Sequence, residues 1–206
     1  MNTATDAHNE LKRQIEHIFP ILFCLLLRDL PYLWIMVLSL LAILYGAFGK
    51  NLLVKDTHRP DEIKRGFSLG KIAYALSVFL LLIIFRNHLY IVAGAWAVMA
   101  LGDGFSNIVG RRFGKRKLPW RKEFSLEGSL AFALVSFPAA LGLMLFVSSG
   151  RETETLTLSN ALLLALVASL SGAIIESVSY KLNDNFTVPL GSAFFIWMAS
   201  YILGIL

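Results

Sequence analysis

The chain has 206 residues, 56% of them hydrophobic and only 16% charged, with a mean hydropathy of +0.65; a soluble domain carries about 25% charge and under half apolar residues. Composition therefore excludes an ordinary soluble domain and leaves an integral, all-α membrane protein. The formal charge of +5 points to anionic headgroups and not to nucleic acid, and a single cysteine, Cys24, excludes an intrachain disulfide or a multi-cysteine metal site.

Residues 1–11 are a polar tail. Leu11 to Leu27 reads as a first helix with Pro20 inside it, short beside the roughly 20 apolar residues a span needs and liable to kink at the proline. Lys12 and Arg13 before this apolar run imitate a signal peptide, yet no small-residue cleavage site follows, so the segment reads as retained. Arg28 and Asp29 turn the chain into a second span, Leu30 to Gly49, with Tyr32 and Trp34 as interfacial aromatics. A polar loop over 50–66 leads to a third span, Phe67 to Phe85, and Leu89 to Gly110 forms the fourth. After a basic loop over 111–125, the remaining spans are Leu126 to Val147, Leu156 to Ser177, and a last one ending at Leu206 after the connection 178–187. That makes seven crossings in one membrane-embedded domain, 1–206, with loops too short for a separate globular unit.

Fifteen of the 19 Lys and Arg residues fall on alternate connections. By the positive-inside rule this predicts a cytoplasmic N-terminus, cytoplasmic loops at 50–66, 111–125 and 178–187, and an outside C-terminus.

A carboxylate inside or beside a span costs roughly 2.5 to 3.5 kcal/mol at a helix centre, so each demands a reason. Asp103 sits near the end of the fourth span, Glu127 opens the fifth, Glu176 ends the sixth, and Asp184 with Asn185 follows it. The topology puts all of them on one side. Helical spacing places Asp103, Ser106, Asn107 and Gly110 on one face. Gly110 and Gly114 form a GxxxG that alone reads as helix packing, but packing needs no aspartate. Between Gly102 and Gly104, Asp103 points instead to Mg²⁺ and phosphate, because carboxylates hold Mg²⁺ and glycines let backbone N–H groups meet phosphate oxygens.

The run RRFGKRKLPWRK, with Arg111, Arg112, Lys115, Lys117 and Lys122, reads alone as an anchor on anionic lipid. Ser125, Glu127 and Gly128 at the mouth of the next helix turn the reading toward a nucleotide triphosphate, since helix N-termini attract anions. Glu127 taken alone is an acidic residue favouring the helix dipole, Asp184 with Asn185 is a turn before Pro189, and His17 pairs with Arg13 one turn away. No HExxH, GxSxG or Walker sequence occurs, which leaves metalloprotease, lipase and P-loop readings without support.

GDGFSNIVGRRFGKRKLP (102–119) followed by SLEGSLAF (125–132) resembles the central signature of the CTP-dependent polyprenol kinases, the membrane family of dolichol kinase, phytol kinase and yeast-type diacylglycerol kinase. ELKRQIEH (10–17) and IIESVSYKLNDNFTVPL (174–190) are similar to two further regions of that family. The chain departs from the pattern at Gln14, where a Lys is usual, and at Phe124, where a Lys commonly precedes the serine. The resemblance implies transfer of the γ-phosphoryl group of CTP to a long-chain lipid alcohol at the cytoplasmic face. Asp103 and Glu127 would bind Mg²⁺, and Glu176 or Asp184 would be a further ligand or the base, with Asn185 beside them. Arg111, Arg112, Lys115 and Lys117 would hold phosphates, with the turn from Arg13 to His17 nearby. The GD segment is also similar to that of phosphatidate cytidylyltransferases, which would transfer CMP instead. A small transporter is the reading from another class; its polar residues would lie near the bilayer midplane, whereas these gather at helix ends.

Overall fold

A computed structural model describes residues 12–48, 67–150, 156–179 and 183–206. The polar tail 1–11, the loop 50–66 and the cationic Lys181 expected in the 178–187 connection lie outside the described residues. Helix α1 (residues 12–18) runs on as a 3₁₀ stretch, Phe19–Leu27. Then follow α2 (Tyr32–Phe48), α3 (Leu69–Ile84), α4 (Leu89–Ala97), a π-helical stretch (Val98–Asp103), α5 (Gly104–Phe113), α6 (Leu126–Ser149), α7 (Leu158–Val178) and α8 (Asp184–Ile202). Among the described residues, three helical segments are long and apolar enough to cross a bilayer: Leu89–Phe113, Leu126–Ser149 and Leu158–Val178. Helices α2 and α3 are apolar but shorter.

From Phe19, one residue before Pro20, the first segment tightens into a 3₁₀ helix. Its buried residues are Ile21, Cys24 and Leu27, a spacing of three that a 3₁₀ helix places along one line. The tighter coil is also longer. A 3₁₀ coil rises about 2.0 Å per residue against 1.5 Å in an α-helix, so Phe19–Leu27 is more extended than nine α-helical residues would be.

At the centre stands α4. From Leu89 to Ala100 its side chains are buried on every side, against α6, α8 and α3, which is how an all-round apolar helix behaves. Tyr90, Ile91 and Met99 are among its largest enclosed side chains. Around it, α6 packs along α7, and α7 along α8, while α2 lies outermost against α3. Helix α2 leaves Leu33, Trp34 and Leu41 more than half exposed, as lipid-facing residues are.

Two boundaries differ from those the sequence suggests. The fourth helical segment continues through Arg111 and Arg112 to Phe113, because two cations in a last turn complement the helix dipole. The turn expected around Asp184 and Asn185 is instead the first turn of α8. Asn183 caps it by accepting from the Asn185 amide at 3.1 Å, and Pro189 is accommodated inside the helix.

Close approach of α5 to α6 rests on Gly110 and Gly128. A Cβ on Gly128 would stand 3.1 Å from the Ser106 carbonyl oxygen and 3.3 Å from the Gly110 Cα. Gly128→Val is therefore expected to destabilise the protein by about 1 to 3 kcal/mol through overpacking, read as a lower melting temperature in detergent. Gly142→Val, at a site where a Cβ meets nothing within 4 Å, should leave it unchanged.

Candidate functional site

The site is built around the end of the π-helical stretch. Asp103 is only 7% exposed, and both of its oxygens are engaged. Oδ1 accepts from Asn107 Nδ2 at 2.8 Å, and the same amide donates to the Asp103 carbonyl at 3.0 Å. This is the one-turn pairing the helical spacing requires. Oδ2 lies 3.3 Å from His17 Nε2, which also stands 3.1 Å from the Met99 carbonyl oxygen. A carbonyl can only accept, so the proton is on Nε2 and is shared between the carbonyl and the carboxylate. The Met99 carbonyl is reachable because it belongs to a π turn, where the backbone ladder is widened. His17 is held edge-on against Tyr74, with ring centroids 5.1 Å apart, and the Tyr74 hydroxyl accepts from Trp96 Nε1 at 2.8 Å. The Arg13 charge also acts on Asp103.

Glu176, three residues from the end of α7, is fully buried. Neither carboxylate oxygen meets hydrogen-bond geometry with a partner among the described residues, and Ser106 is the side chain whose hydroxyl acts on it. Asp103, Asp184 and Arg121 are close enough for their charges to act on it, so three carboxylates from three helical segments share one neighbourhood. Asp184 Oδ1 accepts from the Asn185 amide at 3.0 Å. Asn185 in turn donates through Nδ2 to the Gly70 carbonyl at 3.2 Å, tying the start of α8 to the start of α3. Beside that contact, Lys71 Nζ is 2.9 Å from Glu16 Oε2, pairing α1 with the first turn of α3.

The basic loop is closed upon itself. Leu126 donates to the Arg116 carbonyl at 2.8 Å and Leu118 to the Phe124 carbonyl at 3.1 Å, with Lys117 and Ser125 paired between them and Leu118 buried beneath. Glu127 belongs to this loop more than to the cluster, because both of its oxygens accept from the Arg116 amide at 3.2 Å. Ser125 is the N-cap of α6, accepting from the Gly128 amide at 3.2 Å.

Of the residues expected from the sequence, the structure brings together Asp103, Glu176, Asp184, His17, Arg13, Ser106 and Asn107, with Asn185 at the border. Glu127 and Ser125 shape the loop. The glycines serve contacts within the protein. A Cβ on Gly102 would meet the Phe132 ring at 2.7 Å, and one on Gly114 would collide with the Gly110 carbonyl and Ser125. Arg111, Arg112, Lys115, Lys117 and Lys122 are exposed. The residue that reading by pattern passes over is Arg121, whose Nη1 donates to the Glu176 carbonyl at 2.7 Å. Within a run of seven cations only Phe124, three residues on, marks it out, and the guanidinium lies over that ring.

No three His, Cys, Asp or Glu side chains among the described residues form a ready-made metal cage. Magnesium rarely uses one. It keeps several waters and takes one or two carboxylates plus substrate phosphates. Carboxylates drawn together from separate helices, with Asp103 and Asp184 acting on the same neighbourhood, fit such a cation.

Fold and site thus define an all-helical protein, apolar enough for a bilayer, with buried carboxylates beside a cationic loop. Known proteins are similar to it in sequence. It is 34% identical over 159 residues to a probable chloroplastic phytol kinase 2 of Oryza sativa subsp. japonica, covering 76% of this chain and 51% of that protein. It is 31% identical over 160 residues to a chloroplastic farnesol kinase of Arabidopsis thaliana, with coverage of 76% and 51%, and 35% identical over 159 residues to a probable chloroplastic phytol kinase 3 of Glycine max, with 76% and 49%. The chain spans about half the length of the curated relatives it matches. No protein-family model and no solved structure matches it. Over the shared region the chain is thus similar to phytol and farnesol kinases.

An unpartnered buried polar group costs about 1 to 3 kcal/mol. Glu176→Met, similar in volume and without charge, is therefore expected to raise the melting temperature in detergent. A fall would mean that the carboxylate is satisfied in the folded protein.

Proposed function

We propose that this chain is an integral membrane kinase that transfers the γ-phosphoryl group of CTP to the hydroxyl of a long-chain isoprenoid alcohol at the cytoplasmic face. The observation that carries the reading is convergence: residues far apart in sequence, Arg13 and His17, Asp103 and Arg121, and Glu176 and Asp184, meet around one group of carboxylates. Relatives named as phytol and farnesol kinases support the acceptor class. The preference for CTP comes from the resemblance of the central motif. In this reading the chain crosses the bilayer seven times, with its N-terminus in the cytoplasm and its C-terminus outside, as the distribution of Lys and Arg favours.

Phosphoryl transfer calls for positioning and charge neutralisation more than covalent help. The alcohol oxygen attacks the γ-phosphorus, the bond from that phosphorus to the β–γ bridging oxygen breaks, and CDP leaves. Glu176 takes the hydroxyl proton. It is the carboxylate suited to this, since neither of its oxygens is occupied and its side chain is fully buried. Asp103, with Asp184 beside it, would hold Mg²⁺, and Glu127 would act from the loop, where it already accepts from the Arg116 amide. When bound, the metal would offset phosphate charge. Arg111, Arg112, Lys115, Lys117 and Lys122, with Arg13, would supply the remaining positive charge around the triphosphate. His17 orients Asp103 by donating to it and to the Met99 carbonyl. The alcohol's chain stays in the bilayer between helices.

The test is positional labelling. Membranes containing the protein, given a C₁₅ to C₂₀ isoprenoid alcohol, should incorporate label from γ-labelled CTP and none from α-labelled CTP. Label from the α position would replace the kinase reading with nucleotidyl transfer.

Removing the general base should cost turnover by about 10² to 10⁴-fold. Glu176→Gln is thus expected to lower kcat by that order while leaving the KM for the alcohol nearly unchanged. Wild-type turnover in this variant would take the role of base away from Glu176.

A further inference from the structure

Six of the seven cations between residues 111 and 122 are exposed. Arg121 is the one turned inward, its side chain 15% exposed. Its Nη1 donates to the Glu176 carbonyl at 2.7 Å, across 55 residues of sequence. The guanidinium carbon lies 3.9 Å from the centre of the Phe124 ring, and Nε is 3.8 Å from Glu123 Oε2. The backbone beneath is folded to present it: Arg121 donates to the Leu118 carbonyl and Phe124 to the Arg121 carbonyl. The accepting carbonyl belongs to the last turn of α7, where helix carbonyls lack partners within the helix and a cation complements the dipole.

We infer that Arg121 is a positioning residue, a latch that fastens the cationic loop 114–125 to the last turn of α7 and so sets the position of the loop relative to the Glu176 carboxylate. The contact is suited to this and to little else. A planar guanidinium can donate in its plane and stack by its face at the same time, which the point charge of a lysine cannot do. The grip is on the backbone of the very residue whose side chain is buried and unpartnered, so slack in the loop becomes displacement at the carboxylate. The consequence for turnover rests on the kinase reading above; the latch itself does not.

Both parts are tested together. A nitroxide label on Trp120→Cys, an exposed position of the loop, reports loop motion in the full-length protein, and Cys24 is fully buried. Arg121→Gln should convert a restrained spectrum to a mobile one. Without the label, it should lower kcat roughly tenfold and raise the nucleotide KM, as expected when a loop is misplaced by about an ångström. Arg121→Lys should restore only part of both. Phe124→Leu, which removes the stacking ring and keeps the charge, should shift both readouts in the same direction by a smaller amount, and it serves if Arg121→Gln fails to fold. Unchanged label motion in these variants overturns the latch. A mobile loop with wild-type kcat and KM overturns its coupling to turnover. If the wild-type protein phosphorylates no isoprenoid alcohol, the kinase reading fails, and the label spectra alone decide the latch.

Discussion

The structure depends on enclosing one helix completely. From Leu89 to Ala100 every side chain of the central segment is buried, covered chiefly by α6, α8 and α3, with α2 outside them. In a bilayer such enclosure is not driven by water, because lipid tails are as apolar as leucine. It must come from packing, and the small residues allow it. Ala93, Ala95, Ala97 and Ala100 keep the central helix slim enough for several neighbours at once, and the glycines at 94 and 102 admit Met144 and Phe132 against its backbone.

That enclosure positions the site. A helix surrounded by protein can carry irregular backbone at its inner end, because groups freed from the ladder find protein partners and not lipid. The π-helical stretch Val98–Asp103 is this irregularity. It turns the Met99 carbonyl toward His17 and brings Asp103 into a protein-lined setting, where Glu176 and Asp184 approach from two further helices. Three carboxylates so placed repel one another. Arg13, His17 and Arg121 stand around them to offset part of that repulsion, and a bound cation would offset more.

Division of labour between the loop and the cluster follows from exposure. The loop 114–125 carries its cations outward, where a polyanion can reach them, and is braced by Glu127 on one side and Arg121 on the other. The cluster lies inside, with Asp103 and Glu176 buried. The matched relatives carry about as much sequence again beyond the shared region.

A great deal was legible in the residue order. The helices lie where apolar runs place them, and Asp103 with Asn107 forms the pair that one-turn spacing requires. Burial of charge in an apolar segment is costly wherever the chain goes, so Asp103 and Glu176 stood out as residues needing a purpose. Sequence could not separate the two functions of the carboxylates, since Glu127 and Glu176 are both glutamates at helix ends; only packing shows that one accepts from a loop amide and the other has no partner. Nor could it select Arg121 from seven neighbouring cations, or foresee that nine residues after Ile18 would coil as a 3₁₀ helix to match a three-residue stripe. The sequence by itself determined an apolar helical protein with its charges gathered toward one end, because hydrophobicity and charge are properties of residues. Which of those charges meet was decided by tertiary structure, because it depends on how closely helices approach, and that is set by contacts between residues far apart in the chain.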